Sequence, residues 1–278
     1  MLGLIRAGIF VLATAMAMPA AACLNSYSFE IKQLLQKNLR PQALQEIAEL
    51  ERAYKTNKSA EITNDLAVAR ILFGRVDEAI VLLQELEERH PGKGTTAANL
   101  GTAFELAGKD QAALQWIREG IRRDPKEHFG SEWVHVRILE AKLAIKVDAN
   151  WLDTHSVMGM SFGDAPQPAE PALPVDHLGH EHSLAETRRA ISYQLFERTL
   201  LVKPKDRVVA DLYLTASDLA FLMFMKETVA ERQRQMASAL RTGYESALSY
   251  GDPRTDLINR RMAELERLIP DPLAVKKP

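Results

Sequence analysis

One cysteine, Cys23, stands in 278 residues, and a single thiol cannot close an internal disulfide, so nothing in the fold depends on oxidation. An excess of charge is missing too: 35 basic residues face 37 acidic ones, a net charge of −2. Without a basic surplus the electrostatic case for nucleic acid or an anionic membrane as principal ligand falls away. Long apolar runs are also lacking. The stretch from Ala7 to Met18 is too short to span a bilayer comfortably, and the apolar run from Leu219 to Met225 is short and follows Asp211 and Asp218, which points to a buried helix. Core material is plentiful, with 46% hydrophobic and 26% charged residues, the balance of a soluble globular chain. The length allows one large domain or two modest ones.

Arg6 precedes the run Ala7 to Met18, which leads into Pro19 and Ala20-Ala21-Ala22-Cys23. A weakly basic start, a short apolar stretch and small residues at a cut describe a secretory signal peptide over residues 1–22. Two routes stay open at Cys23. In one the segment resembles a bacterial lipobox, with Ala20 where that box carries a larger aliphatic, and Cys23 becomes the lipidated first residue. In the other an ordinary signal peptidase cuts after Ala22 and leaves a free N-terminal thiol. A lipid on Cys23 would be the chain's membrane contact.

A 34-residue period runs through the next part of the chain: Leu66 recurs as Leu100, Gly74 as Gly108, Ala79 as Ala113 and Pro91 as Pro125. Ala67 corresponds to Gly101, Leu83 to Ile117 and Arg70 to Phe104. The small residues let paired helices approach, Gly74 and Gly108 suit a left-handed helix C-terminus, and Pro91 and Pro125 stop winding after the second helix of each pair. These residues resemble the tetratricopeptide repeat family, with Arg70 departing from the usual aromatic. The resemblance implies an all-α, helical-hairpin solenoid with clear repeats at about 60–93 and 94–127 inside a helical region over 23–147. Repeats need neighbours to cover their apolar ends. Ser26 to Asn38 and Pro41 to Thr56 read as capping helices upstream, and Gly130 to Ile145 as a helix downstream. The stretches Gly130 to Lys142 and Asn150 to Val157 resemble a group of exported bacterial repeat proteins, which adds architecture and compartment and no chemistry.

By that resemblance the first helices of each pair line a concave groove, here Glu61, Asn64, Val68, Ile71, Thr95, Ala98, Thr102 and Glu105. The family's carboxylate clamp places lysine and asparagine on this face; Asn64 with Val68, and Ala98 with Thr102, do not reproduce it.

Residues 148–182 change character. Pro166, Pro168, Pro171 and Pro174 with Gly159, Gly163 and Gly179 rule out a continuous helix and predict a long loop or linker, with 164–182 the most mobile part of the mature chain. Helical pattern resumes over 183–269. Ser183 and Glu186 form a capping box; Pro204 ends that segment, and helices follow at Asp206 to Lys226, Glu227 to Tyr250 and Thr255 to Leu268. Residues 270–278 read as a frayed tail.

Candidate chemistry is thin. Gly159-Met160-Ser161-Phe162-Gly163 spells a nucleophile elbow, but that device needs a strand entering and a helix leaving. His177, His180 and His182, beside Asp176 and Glu181, are good ligand types for zinc, copper or nickel, or else solvated loop residues. His128, Glu132 and His135 share one helix face if the helix starts early enough, where two histidines and a carboxylate could hold a metal ion; otherwise Glu132 serves the positive helix N-terminus. Trp116, Trp133 and Trp151 read as core or junction residues, and Arg122-Arg123, Arg188-Arg189 and Arg260-Arg261 as isolated pairs. The composite expectation is a non-enzymatic scaffold without cofactor, in the periplasm or on the outer membrane of a Gram-negative-type cell, gripping a segment of an envelope protein. The rival is a metal-handling protein centred on residues 177–182.

Overall fold

A computed structural model describes residue 24 and residues 30 to 269; residues 1–23, with the expected signal segment and Cys23, and the tail from 270 lie outside the described residues. The fold is all-α. Its helices are α1 (Glu30–Gln36), α2 (Arg40–Thr56), α3 (Ala60–Leu72), α4 (Val76–Arg89), α5 (Gly94–Leu106), α6 (Asp110–Arg123), α7 (Glu127–Gly130), α8 (Glu132–Val147), α9 (Trp151–Thr154), α10 (Leu184–Leu201), α11 (Arg207–Lys226), α12 (Ala230–Tyr250) and α13 (Thr255–Leu268). Among the described residues the sole β pairing is an isolated bridge between Val175 and Glu181.

Consecutive helices from α1 to α6 pack on one another, and α8 closes the row against α6. The turns that reverse the chain after α3 and α5 are built alike. Gly74 at φ 78° and Gly108 at φ 73° adopt the left-handed conformation, so the amides of Arg75 and Lys109 reach back to the carbonyls of Arg70 and Phe104 at 2.8 and 2.9 Å. Gly101 is where α5 and α6 touch. A Cβ there would lie 2.4 Å from Ile117 Cδ1 and 3.2 Å from the Ile117 amide nitrogen, inside van der Waals contact. From the other helix, a Cβ on Gly120 would meet the Ala98 amide at 3.4 Å.

The core has three connected parts, joined by helices that face two ways. Val136 and Leu139 of α8 pack with α1–α6, while Trp133, Val134, Ile138 and Ala141 pack with α10 and α11. In turn α11 gives Leu212, Leu219 and Leu222 to the second part and Leu214, Phe221 and Phe224 to the third, with α12 and α13. It is long and apolar enough to cross a membrane, but 72% of its apolar window is buried in protein. The capping box at α10 forms: Ser183 Oγ accepts the Glu186 amide at 3.3 Å, and the Glu186 carboxylate accepts the Ser183 amide at 3.0 Å.

Residues 155 to 182 form no helix, yet they are not a free tether. Val157, Met158, Met160 and Phe162 are buried against α11. Two α11 carboxylates pin this loop. Asp211 accepts the Val157 amide at 2.8 Å, and Arg261, paired with Asp218, donates to the Gly163 carbonyl at 2.6 Å. Further on, Pro168, Pro171 and Pro174 are buried while the residues between them are exposed. Burial every third residue matches the period of a polyproline II helix. Gln167 bonds Glu264 at 2.6 Å, Lys226 reaches Glu170 at 3.1 Å, and Arg137 donates to the Val175 carbonyl at 2.5 Å. The segment expected to be most mobile is therefore a strap, because its prolines and carbonyls supply the contacts that its polar side chains do not.

The α5–α6 contact leaves no room for a side chain. Gly101→Leu is expected to overpack it and to lower urea stability by about 1–3 kcal/mol; an unchanged midpoint would mean that the two helices are free to move apart.

Candidate functional site

The eight residues expected to line an open groove are mostly core. Glu61 is exposed and Thr95 half-buried, but Asn64, Val68, Ile71, Ala98, Thr102 and Glu105 are all buried. At Thr102 and Glu105 the cover comes from α10. Arg198 donates to both oxygens of Glu105, at 2.5 and 3.0 Å. One residue earlier, Glu197 accepts both bonds from Lys32 of α1 at 3.0 Å. Leu24, Leu200, Leu201 and Val202 then close over Thr102 and Leu106, leaving a cavity of about 20 Å³, the room of a single water. Asn64 spends its side-chain oxygen on Asn99 at 2.8 Å. The expectation of an accessible concave groove is thus corrected: six of its eight residues are buried, and α10 covers the end at Thr102 and Glu105.

Beneath α10 lies a line of buried charge. Glu105 also accepts from His135 Nε2 at 2.8 Å and from Lys142 at 2.9 Å. The other nitrogen of His135 sits 3.4 Å from Glu132, whose second oxygen accepts from His128 Nδ1 at 2.5 Å. Burial works against the charge on Glu105, and Arg198, His135 and Lys142 outweigh it, holding the carboxyl well below its usual range. Glu132 is likewise held low against burial by His128 and His135. Burial opposes the charged form of His135, but hydrogen bonds to Glu105 and Glu132 win and raise its pKa above 6.5.

His128 begins an unusual piece of backbone. His128 at φ 50°, Phe129 at φ 55° and Gly130 at φ 68° are consecutively left-handed, and the two non-glycines cost about 1–2 kcal/mol each. The pull of Glu132 on the His128 ring helps hold this turn, and Gln194 of α10 donates to Ser131 Oγ at 3.1 Å. The outcome is that Phe129, an apolar side chain, stands 72% exposed. Its ring meets Tyr193 edge-on at 5.4 Å, and Tyr193 stacks toward His128 at 6.1 Å. Between this turn and α10 lies an open cleft of about 890 Å³, walled by Phe129, Trp133, His182, Tyr193 and Phe196, with Lys126, Glu186 and Arg189 also lining it. Strained backbone of this kind gathers at functional sites, and an aromatic wall with a few polar groups is what recognition pockets are made of.

The remaining candidates separate. His180 and His182 both face Asp176, at 3.3 and 3.1 Å, and Asp176 also accepts the amides of Leu178 and His180. His182 lies flat on Trp133, with ring centres 4.1 Å apart, so it belongs to the cleft wall. His177 lies among Arg118, Arg137 and Glu140, and burial lowers its pKa. Among the described residues no group of three His, Cys, Asp or Glu side chains is arranged to hold a metal ion. Of the three histidines read as a ligand set, His180 and His182 thus share Asp176, while His177 lies apart from them. The face-sharing trio His128, Glu132 and His135 does come together, as a hydrogen-bonded line. Ser161 is exposed on an irregular loop between left-handed Gly159 and Gly163, with no strand before it and no helix after it. Of this site, the spacing of His128, Glu132 and His135 was a visible signal; the left-handed turn at two non-glycine residues had none. Neither a protein-family model nor a curated protein matches the chain.

The charge line carries a pH dependence. A raised His135 contributes stability that is full below its ordinary 6.5 and is lost as pH rises through its higher folded value. The lowered Glu105 and Glu132 contribute stability above 4.5 that is lost only as pH falls toward their depressed values. Urea stability is therefore expected to decline as pH rises above 6.5 through the raised folded value of His135, and His135→Gln to flatten that decline. Glu105→Ala, which strands Arg198, His135 and Lys142 without their shared carboxylate, is expected to cost about 3–5 kcal/mol.

Proposed function

We propose that this chain is an exported, non-enzymatic interaction protein of the tetratricopeptide-repeat type. It acts in the periplasm or on the outer membrane of a Gram-negative-type bacterium, where it binds a segment of another envelope protein. The 34-residue identities and the like-built turns at Gly74 and Gly108 support the repeat reading. The basic-apolar-small pattern of residues 1–22 supports export.

In this reading the concave residues serve as core, and the partner meets the cleft beside Phe129. One observation carries that choice: an apolar ring 72% exposed, on a turn that costs backbone energy to hold. A chain that needed only to bury Phe129 had cheaper conformations. Aromatic anchors beside cationic and carboxylate groups suit capture of a peptide segment.

Site-specific photocrosslinking tests it. A benzophenone side chain at position 129, in cells, is expected to give a discrete adduct with one envelope protein. The same probe at position 147, where Val147 is 91% exposed and far from the aromatic wall in sequence, is expected to give none. Identical adducts at both positions, or none at position 129, would overturn the assignment.

A further inference from the structure

We infer that access to the Phe129 cleft is gated by a single proton, the one that gives His135 a hydrogen on both ring nitrogens. This rests on the cleft being the binding site. The gate is the line of buried groups beneath α10. His135 of α8 stands between two carboxylates, with Nε2 2.8 Å from Glu105 of α5 and Nδ1 3.4 Å from Glu132. All three residues are buried. An imidazolium carries a hydrogen on each nitrogen, whereas a neutral ring has one N–H and turns a bare lone pair toward the other carboxylate. Only the charged ring suits both neighbours at once.

Other charges decide where the loss of that proton is felt. Glu105 keeps Arg198 of α10, at 2.5 and 3.0 Å, and Lys142 at 2.9 Å. Lys142 and Lys146 also share Asp110 of α6. Glu197 of α10, which lines the same cavity as His135, is matched by Lys32 of α1. Glu132 has no such reserve: its ion-pair partners among the described residues are His128 and His135. A buried carboxylate that loses one of two partners is left poorly matched in a dry place, which is costly.

That carboxylate is also what holds the turn. Nδ1 of buried His128 donates to Glu132 at 2.5 Å, and its Nε2 has no hydrogen-bond partner, so the ring is fixed through Glu132. His128 and Phe129 are both left-handed, a conformation that L side chains resist. Tyr193 meets both of their rings. With Glu132 poorly matched, its grip on His128 slackens, the turn relaxes toward ordinary φ, and Phe129 leaves the cleft wall. Burial opposes the charge on His135, but the two carboxylates win and raise its pKa above 6.5. The cleft is therefore formed at mildly acid pH and lost as pH rises through that raised value.

The experiment places para-fluorophenylalanine at position 129 of the mature chain and measures fluorine NMR relaxation by a neutral gadolinium chelate in the solvent. Between about pH 5 and about pH 9, relaxation is expected to fall at least about twofold in one step above 6.5, with unchanged far-ultraviolet circular dichroism. His135→Gln is expected to remove the step. Lys142→Gln, which takes a cation from the Glu105 side, is expected to move it to higher pH, a displacement that loss of folding would not give. His180→Gln, in the loop around Asp176, is expected to leave it in place. A flat wild-type profile overturns the inference. So does a step that survives His135→Gln, stays put in Lys142→Gln, vanishes in His180→Gln, or coincides with loss of helix. Crosslinking keeps the two claims apart. Adducts at position 129 with a flat fluorine profile keep the cleft and remove its gate, whereas a step without any adduct keeps the proton-dependent turn and removes the binding site.

Discussion

Glu105 sits on α5 with 5% of its surface exposed, and three cations from two other helices, His135 and Lys142 of α8 and Arg198 of α10, converge on its two oxygens. A carboxylate stripped of water is costly unless its charge and lone pairs are met. Here they are met only when α8 and α10 are both in place. The repeat-bearing helices are therefore incomplete by themselves. Lys32 and Glu197, both buried, make the same demand between α1 and α10. Helices far apart in sequence are thus held together by buried charges that meet between them, and the hydrophobic parts of the core assemble around that arrangement.

The C-terminal half repeats the device. Asp218 on α11 is hemmed in by Arg261 and by the Tyr244 hydroxyl at 2.8 Å, and burial pushes its pKa up to about 6 despite them. Asp211 is raised by burial too, against the pull of Arg254 at 2.8 Å. Both arginines come from beyond α12, Arg254 just before α13 and Arg261 within it. The last helix is consequently locked to α11 and, through the Gly163 carbonyl, to the loop in front of α10.

Most helices were legible, because their limits are written in local chemistry. The Ser183–Glu186 box, the left-handed Gly74 and Gly108 and the prolines two residues past α4 and α6 all act within a turn or two of the residues that encode them. The Gly101 contact was legible through the repeat. What escaped was long-range. The Arg198–Glu105 pair spans 93 positions, and a groove read from the repeats alone gives no sign that a later helix covers its end. The turn at His128 and Phe129 escaped for another reason: nothing in a histidine and a phenylalanine asks for positive φ, and the conformation is imposed by the packing around Glu132 and Tyr193. The proline spacing was in view, but counting prolines as helix breakers hid the fact that three of them share one face.

That shared face has a consequence for how the chain tolerates change in length. Because burial recurs at every third residue, a single residue inserted between Pro168 and Pro174 breaks that register and takes Pro174 out of its place on the protein. An insertion of three residues restores the face. The strap between the two helical halves thus keeps a reading frame of its own, set by the spacing of its buried prolines and blind to the identity of the exposed residues between them.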